Sequence, residues 1–486
     1  MTKQQNSVTY SGMRYTLTSV CLGAALLGAA AACSDRLTVP NYQNPTPESI
    51  QGDPVSALPL LVSGVLRNDR DNTTGYVLSL GILGREAYNY TPTEGRNTSG
   101  FLSPEVKTSS SFGGTSGWNG FYTELRNATG LESTVSGAAL GLFTDAQKSG
   151  TLGFAHTMEA LSLSYIIASR YNLGAPVDVK PDPATLTPFV SRDSVYRNIV
   201  GKLDQAKTEL GAAGTAFPFS LHTGYAGFNT PANFLKFNRG LAARINAYRA
   251  SIGASGCGTA RSAACYTTVL ANLAESFINS AGSLTVGPFN VFSSAASDVA
   301  NGISNQSNSS VVAHAKADSG IQLRADGTKD LRFTAKVFTL SATKRPANAT
   351  LGVGTNFDYT TYSVRESPVP IVRNEELVLL RAEARYFTGD LTGALADINV
   401  IRVTAGGLAP LIGFADDAAF IDELLYNRRL SLVFEGHRWV DMRRFGRLNQ
   451  LTLDLPTHVI ISELPVPQNE CLSRALADAS LKGPGC

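Results

Sequence analysis

Apolar residues recur at helical spacing through most of the chain beyond position 47, and the polar clusters between them mark turns. From Pro47 to Gly84 the stripe runs through Leu58, Leu61 and Val65. Trp118 to Leu125 continues in helical register. Gly153 to Arg170 places Met158, Leu161, Tyr165 and Ala168 on one face, and Leu173-Gly174-Ala175-Pro176 ends it. Ser191 is a good N-cap for a helix to Leu210 whose stripe is Val195, Ile199, Leu203 and Ala206. Asn233 to Ile252 reads the same way. Asn374 to Phe387, the Gly389-Asp390 turn and Leu391 to Val403 form an αα-hairpin, with Leu391, Ala394, Leu395 and Ile398 facing inward. Such hairpins are what tetratricopeptide repeats stack. Asp416 or Asp417 caps a further helix through Phe420, Leu424 and Leu425, running toward Glu435-Gly436.

Two stretches break the pattern. Tyr88 to Gly117 is rich in Gly, Ser and Thr and reads as loop. Gly253 to Thr361 is irregular, with Asn, Ser and Gly clusters. Long irregular insertions in a helical body are more often functional surface than filler. The expected fold is therefore mainly α: a tetratricopeptide-like α-α superhelix with an irregular, partly β ligand-binding subdomain. No strict repeat period joins the hairpins, so the superhelix is expected to be diverged and partial.

The N-terminus reads as a lipoprotein signal peptide over residues 1–32. Arg14 precedes an apolar run from Leu17 to Ala32, too short for a membrane span and of signal-peptide length. The run ends in Ala30-Ala31-Ala32-Cys33, the small residues before a Cys that a lipoprotein signal peptidase requires, so Cys33 is the expected lipidation site. Ala30 stands where Leu is commonest, and Met13-Arg14 offers a second start. Residues 33–46, polar and Pro-bearing, read as a tether, and 47–486 as the body. Export favours disulfides, so Cys257 with Cys265 and Cys471 with Cys486 are the natural local pairs. No C-x-x-C is present and no His lies beside either pair, which leaves no metal reading for them.

The formal charge is +2 for the 486 residues, and Lys3 and Arg14 of the leader account for it. A neutral mature chain carries no electrostatic footprint for nucleic acid.

From Asp422 to Leu448 the chain reads Asp-Glu-Leu-Leu-Tyr-Asn-Arg-Arg-Leu-Ser-Leu-Val-Phe-Glu-Gly-His-Arg-Trp-Val-Asp-Met-Arg-Arg-Phe-Gly-Arg-Leu. This resembles the C-terminal signature of the SusD/RagB family, E-R-R-x-E-L-x-F-E-G-x-R-W-x-D-L-x-R. Phe434, Glu435, Gly436, Arg438, Trp439 and Asp441 keep both identity and spacing. Trp118 to Tyr122 with Arg126-Asn127, Asn374 to Arg402, and Leu464 to Glu470 resemble further family blocks in the family's order, so the signature region spans 374–470. Asn427 and Ser431 depart from the usual Glu at both positions, which is expected to thin the local ion-pair network. The resemblance implies a nutrient-uptake lipoprotein on the outer face of the outer membrane. Such a protein caps a SusC-like TonB-dependent barrel and delivers oligosaccharides, or in RagB-like members peptides, without chemistry and without a cofactor.

Glu435, His437, Arg438 and Asp441 together could imitate an acid–base cluster. The simpler reading is that these charges bind one another and nearby helix ends. No G-x-S-x-G, H-E-x-x-H or Walker A sequence is present. His156, His222, His314 and His458 are scattered and read as incidental. A glycan or peptide needs aromatic faces with polar groups beside them. The candidates in the irregular segments are Tyr88, Tyr90, Phe112, Phe289, Phe292 and Tyr359, with Phe101, Tyr225 and Tyr362 nearby. Asn89, Arg96, Asn290 and Asp318 are candidate polar partners. A surface hydrolase and a tetratricopeptide scaffold that binds only proteins are the remaining alternatives.

Overall fold

The computed structural model describes residues 47–180, 182 and 184–486. The leader 1–32, Cys33 and the tether 33–46 lie outside the described residues. The chain divides into two units, Met1–Asp53 and Pro54–Cys486. In the first, the described structure is a short helix, α1 (Pro47–Gly52).

The second unit is built mainly of helices: α2 (Pro54–Leu83), α3 (Arg96–Leu102), α4 (Asn119–Gly137), α5 (Asp145–Arg170), α6 (Arg192–Gly211), α7 (Pro231–Ile252), α8 (Ala263–Ala274), α9 (Leu331–Lys336), α10 (Asn374–Phe387), α11 (Leu391–Val400), α12 (Asp417–Ser431), α13 (Arg438–Arg444) and α14 (Gln468–Ala477). Helices α4 to α8 each pack on the next, and α10 packs on both α8 and α11. This is the tetratricopeptide-like superhelix. No described helix is long and apolar enough to cross a membrane.

Helix α5 is the spine. From Gly153 to Arg170 every residue is buried, as expected of a helix enclosed on all sides. It begins earlier than its apolar stripe. Thr144 accepts from the Gln147 amide at 3.2 Å while the Gln147 side chain accepts from the Thr144 amide at 2.9 Å, closing a capping box. Gly153 hides the register because it has no side chain to count, yet it is packed: a Cβ there would lie 2.7 Å from Leu210 Cγ on α6. Ser191 caps α6, as its position predicts, by accepting from the Ser194 amide.

The irregular stretches hold more order than their composition suggests. Residues 88–117 contain α3 and the last residues of β1 (Ala87–Asn89). Residues 253–361 contain α8, α9 and four strands: β2 (Phe289–Asn290), β3 (Val311–Ala313), β4 (Val337–Lys344) and β5 (Thr355–Tyr359). The strands form antiparallel pairs: β1 with β3 through Tyr88↔Val312, β4 with β5 through Val337↔Tyr359, and β2 with β6 (Val369–Pro370) through Phe289↔Pro370. Disulfides join Cys257 to Cys265 and Cys471 to Cys486.

Candidate ligand groove and the buried signature

The signature residues sit in the core. Phe434 and Trp439 are each 1% exposed, and the Trp439 indole donates to the Ile461 carbonyl at 2.9 Å. Phe434 and Gly436 turn the chain at φ 56° and 82°, between α12 and α13. The second angle favours glycine, and a Cβ on Gly436 would also press on Tyr76 at 3.0 Å. Asp441 accepts from Arg428 Nε at 2.7 Å and from Arg444 Nε at 2.8 Å. Arg444 reaches on to both oxygens of Glu383, at 2.5 and 2.7 Å. Glu435 accepts from Arg373 at 2.8 Å, and Arg244 grips Glu376 beside it.

Burial alone would raise the Asp441 carboxyl, but Arg428 and Arg444 outweigh it and hold the group at about 2. Burial pushes His437 down to about 4, so the imidazole is neutral at pH 7. The cavity beside Glu435 and His437 holds about 30 Å³, room for a water and not for a substrate. The cluster that imitates an acid–base site is thus a set of arginine-held carboxylates joining helices. The two departures are absorbed locally: Asn427 Oδ1 and Ser431 Oγ both accept from Arg332, at 2.9 and 3.0 Å, and Asp330 supplies the opposing charge.

An open groove of about 770 Å³ lies elsewhere, along α3 and the loop that follows it. Its walls are Arg96, Ser99 and Gly100 of α3, the segment 103–112, the tip at Thr350-Leu351 and the strip Thr457-His458. Phe112 is its aromatic face, 42% exposed. The Arg96 guanidinium lies 5.0 Å from the Phe112 ring centroid and is fixed there by Glu94, at 2.8 Å. Gly100 admits the ring, since a Cβ there would come within 3.1 Å of it. The Val459 amide donates to the Leu102 carbonyl at 2.7 Å, pinning the His458 strip against the end of α3.

Groups able to bind a polar ligand remain unused along this groove. Ser111 Oγ and both ring nitrogens of His458 are buried without a hydrogen-bond partner. Burial lowers the His458 pKa, with Asp454 opposing. A neutral imidazole offers one donor and one acceptor, as hydroxyl-rich ligands require.

Most of the aromatic candidates are elsewhere. Tyr88, Tyr90, Phe292 and Tyr359 are 0%, 6%, 6% and 3% exposed and present no face to a ligand; that expectation is corrected. Their rings fill the core of the irregular subdomain. Tyr88 stacks on Tyr90 and His314, and its hydroxyl donates to Asp454 at 2.9 Å. Tyr359 stacks on Phe434 and donates to the Glu86 carbonyl at 2.7 Å. Phe101, Tyr225 and Tyr362 are buried too. Phe289 is half-buried in the β2–β6 pair and does not line the groove. Asn89 and Asn290 are buried, and Asp318 pairs with Lys329 at 3.2 Å. Of the named candidates the groove gathers Phe112 and Arg96. Sequence reasoning missed Ser111 and Leu351, and it passed over His458 as incidental; no spacing signal marks them, because the three segments meet only in the fold.

The comparisons with known proteins agree with this architecture. The model of the SusD family matches residues 341–460. A SusD-like protein of Formosa agariphila, P38, is 31% identical over 106 residues, covering 19% of this chain and 21% of that protein. The match thus spans about a fifth of that relative's length. A SusD superfamily protein of Parabacteroides distasonis superposes with a TM-score of 0.63 at 18% identity, covering 88% of this chain and 98% of that one. A putative sugar binding protein of Bacteroides vulgatus gives 0.61 at 16% identity, covering 89% and 98%. At such identity these structures speak for the fold, and the matched segment contains the signature from Phe434 to Asp441 that the buried arginine network is built around. Residues 341–460 are thus similar to the SusD family, and the described chain shares the fold of SusD superfamily structures.

Proposed function

We propose that the protein is a non-catalytic, cell-surface nutrient-binding lipoprotein of the outer membrane. It holds an oligosaccharide in the groove along α3 and passes it to a SusC-like TonB-dependent barrel. The observation that carries this reading is the groove itself: an exposed Phe112 braced by Arg96, lining the same groove as the unpaired groups of Ser111 and His458. Sugar rings stack on such a face, and their hydroxyls both donate and accept. The carboxylates of the signature are engaged by arginines, which favours binding over hydrolysis. The similarity of residues 341–460 to the SusD family supports the nutrient-binding role, and the barrel partner rests on the family resemblance.

Calorimetry of the purified protein against panels of oligosaccharides and peptides tests the proposal. The expected result is saturable oligosaccharide binding without product. Phe112→Ala should weaken it about tenfold, the worth of one aromatic contact of about 1.4 kcal/mol. Binding of peptides alone would replace the glycan with the RagB-like alternative. Release of reducing ends would sink the non-catalytic reading.

A further inference from the structure

Far along the chain from the signature, three helices converge on one histidine. His156 of α5 lies between Glu132 of α4 and Glu209 of α6, with Nε2 at 3.1 Å from Glu132 Oε1 and Nδ1 at 2.7 Å from Glu209 Oε2. One turn along α5, Glu159 is 1% exposed. One ligand-capable atom from each of Glu132, His156 and Glu159 lies within 4.8 Å of the others. The two contacts of His156 are unlike. The Nδ1 contact is a formed hydrogen bond. The Nε2 approach is close but not aligned as one, and Glu132 Oε1 is left buried with no hydrogen-bond partner. Glu159 is held by Thr129 at 2.9 Å and by Lys202.

We propose that Glu132, Glu159 and Nε2 of His156 form a binding site for a divalent transition metal of the zinc class, with Glu209 as the positioning residue that fixes the ring through Nδ1. The donor set is right for zinc: one imidazole nitrogen and two carboxylates, leaving a fourth position for water. The outer contact is also right, because a metal-bound histidine characteristically donates its other N–H to a carboxylate. Charge points the same way. With a metal on Nε2 the histidine is neutral, and the three carboxylates against one lysine then leave two negative charges for a divalent cation to balance. Entry is open, since the Glu132 side chain is 25% exposed while His156 is 7% exposed. The ligand atoms stand somewhat wider than a bound ion requires, and rotation of the partly exposed Glu132 side chain closes the difference. The metal would staple α4 to α5 and, through Glu209, to α6. It is a structural clamp in the early superhelix.

The test uses the full chain purified in detergent, stripped with chelator and titrated with zinc chloride. The expected result is one zinc retained per chain after dialysis and a Tm raised by several degrees. Glu132→Gln should lose affinity roughly tenfold or more, and Glu209→Gln should lose less. Lys202→Ala should bind zinc more tightly, because the lysine competes for Glu159; an ion-pair network without a metal has no reason to respond that way. His156→Gln should abolish binding. If that variant does not fold, as judged by circular dichroism, Glu132→Gln at its partly exposed position decides alone. Absence of a retained zinc, or equal affinity in the Glu132→Gln protein, overturns the site.

Discussion

His437 lies in the core without a charge of its own. Glu376, Arg244, Arg428 and Asp441 face it, and Tyr248 Oη is 3.4 Å from its Nδ1. Burial outweighs the two carboxylates and lowers its pKa from 6.5 to about 4. The sign follows directly. The unfolded chain takes up a proton near 6.5 and the folded chain resists until about 4, so stability from this residue is complete above 6.5 and is lost as pH falls through that window. Asp441 acts lower, between its ordinary value of 3.8 and about 2, and leaves the His437 window clear. Urea unfolding at pH 7 and pH 4 should therefore show wild type losing on the order of 3 kcal/mol more than His437→Gln. Parallel stability curves for the two proteins would mean that the ring is not held neutral. Phe112 is the contrasting residue. It is apolar and exposed where a core would have covered it, and this marks it as available to a ligand.

Elements were legible in proportion to how well their side chains count out a period. Asn374–Phe387 appears with the bounds its stripe predicts, and Ser191 and Asp416 cap their helices as their positions require. Helix α8 was not legible. Cys265, Tyr266, Val269 and Leu273 do fall on one face, but the flanking Gly, Ser and Ala residues look like loop, and the helix is short. The groove was only half legible for a related reason. Arg96 and Phe112 lie within one segment, whereas Leu351 and His458 arrive from distant parts of the chain through long-range packing that has no local period. Tyr88 and Tyr359 misled because aromatic rings in irregular segments serve equally as a small core, here around Asp454 and Phe434. The Cys257–Cys265 bond bears on the same element, since it ties the Gly-rich turn after α7 to the first turn of α8. Replacing both cysteines with serine should cost about 2 kcal/mol in denaturant unfolding, the entropy of a short closed loop. An unchanged midpoint would show that α8 holds its place by packing on α7 and α10 alone.

At the scale of the molecule, the body and its attachment are separate problems. No described helix is long and apolar enough to cross a membrane, and the attachment proposed above runs through the leader and Cys33. A diacylated and N-acylated cysteine suffices, because each buried CH₂ contributes about 0.8 kcal/mol and several chains together anchor firmly. The body, meanwhile, folds around its own core from Pro54 onward, and the groove lies within that unit. Attachment and binding should then come apart cleanly. Cys33→Ala is expected to move the protein from the outer-membrane fraction to the soluble fraction while leaving oligosaccharide affinity in calorimetry unchanged. On the proposed role, uptake by whole cells should fall all the same, because a protein released from the surface would no longer deliver its ligand to the barrel. Membrane retention of the variant would place the anchor somewhere other than Cys33. Loss of affinity in the released protein would instead tie the groove to the membrane-proximal segment, against the independence that the fold implies.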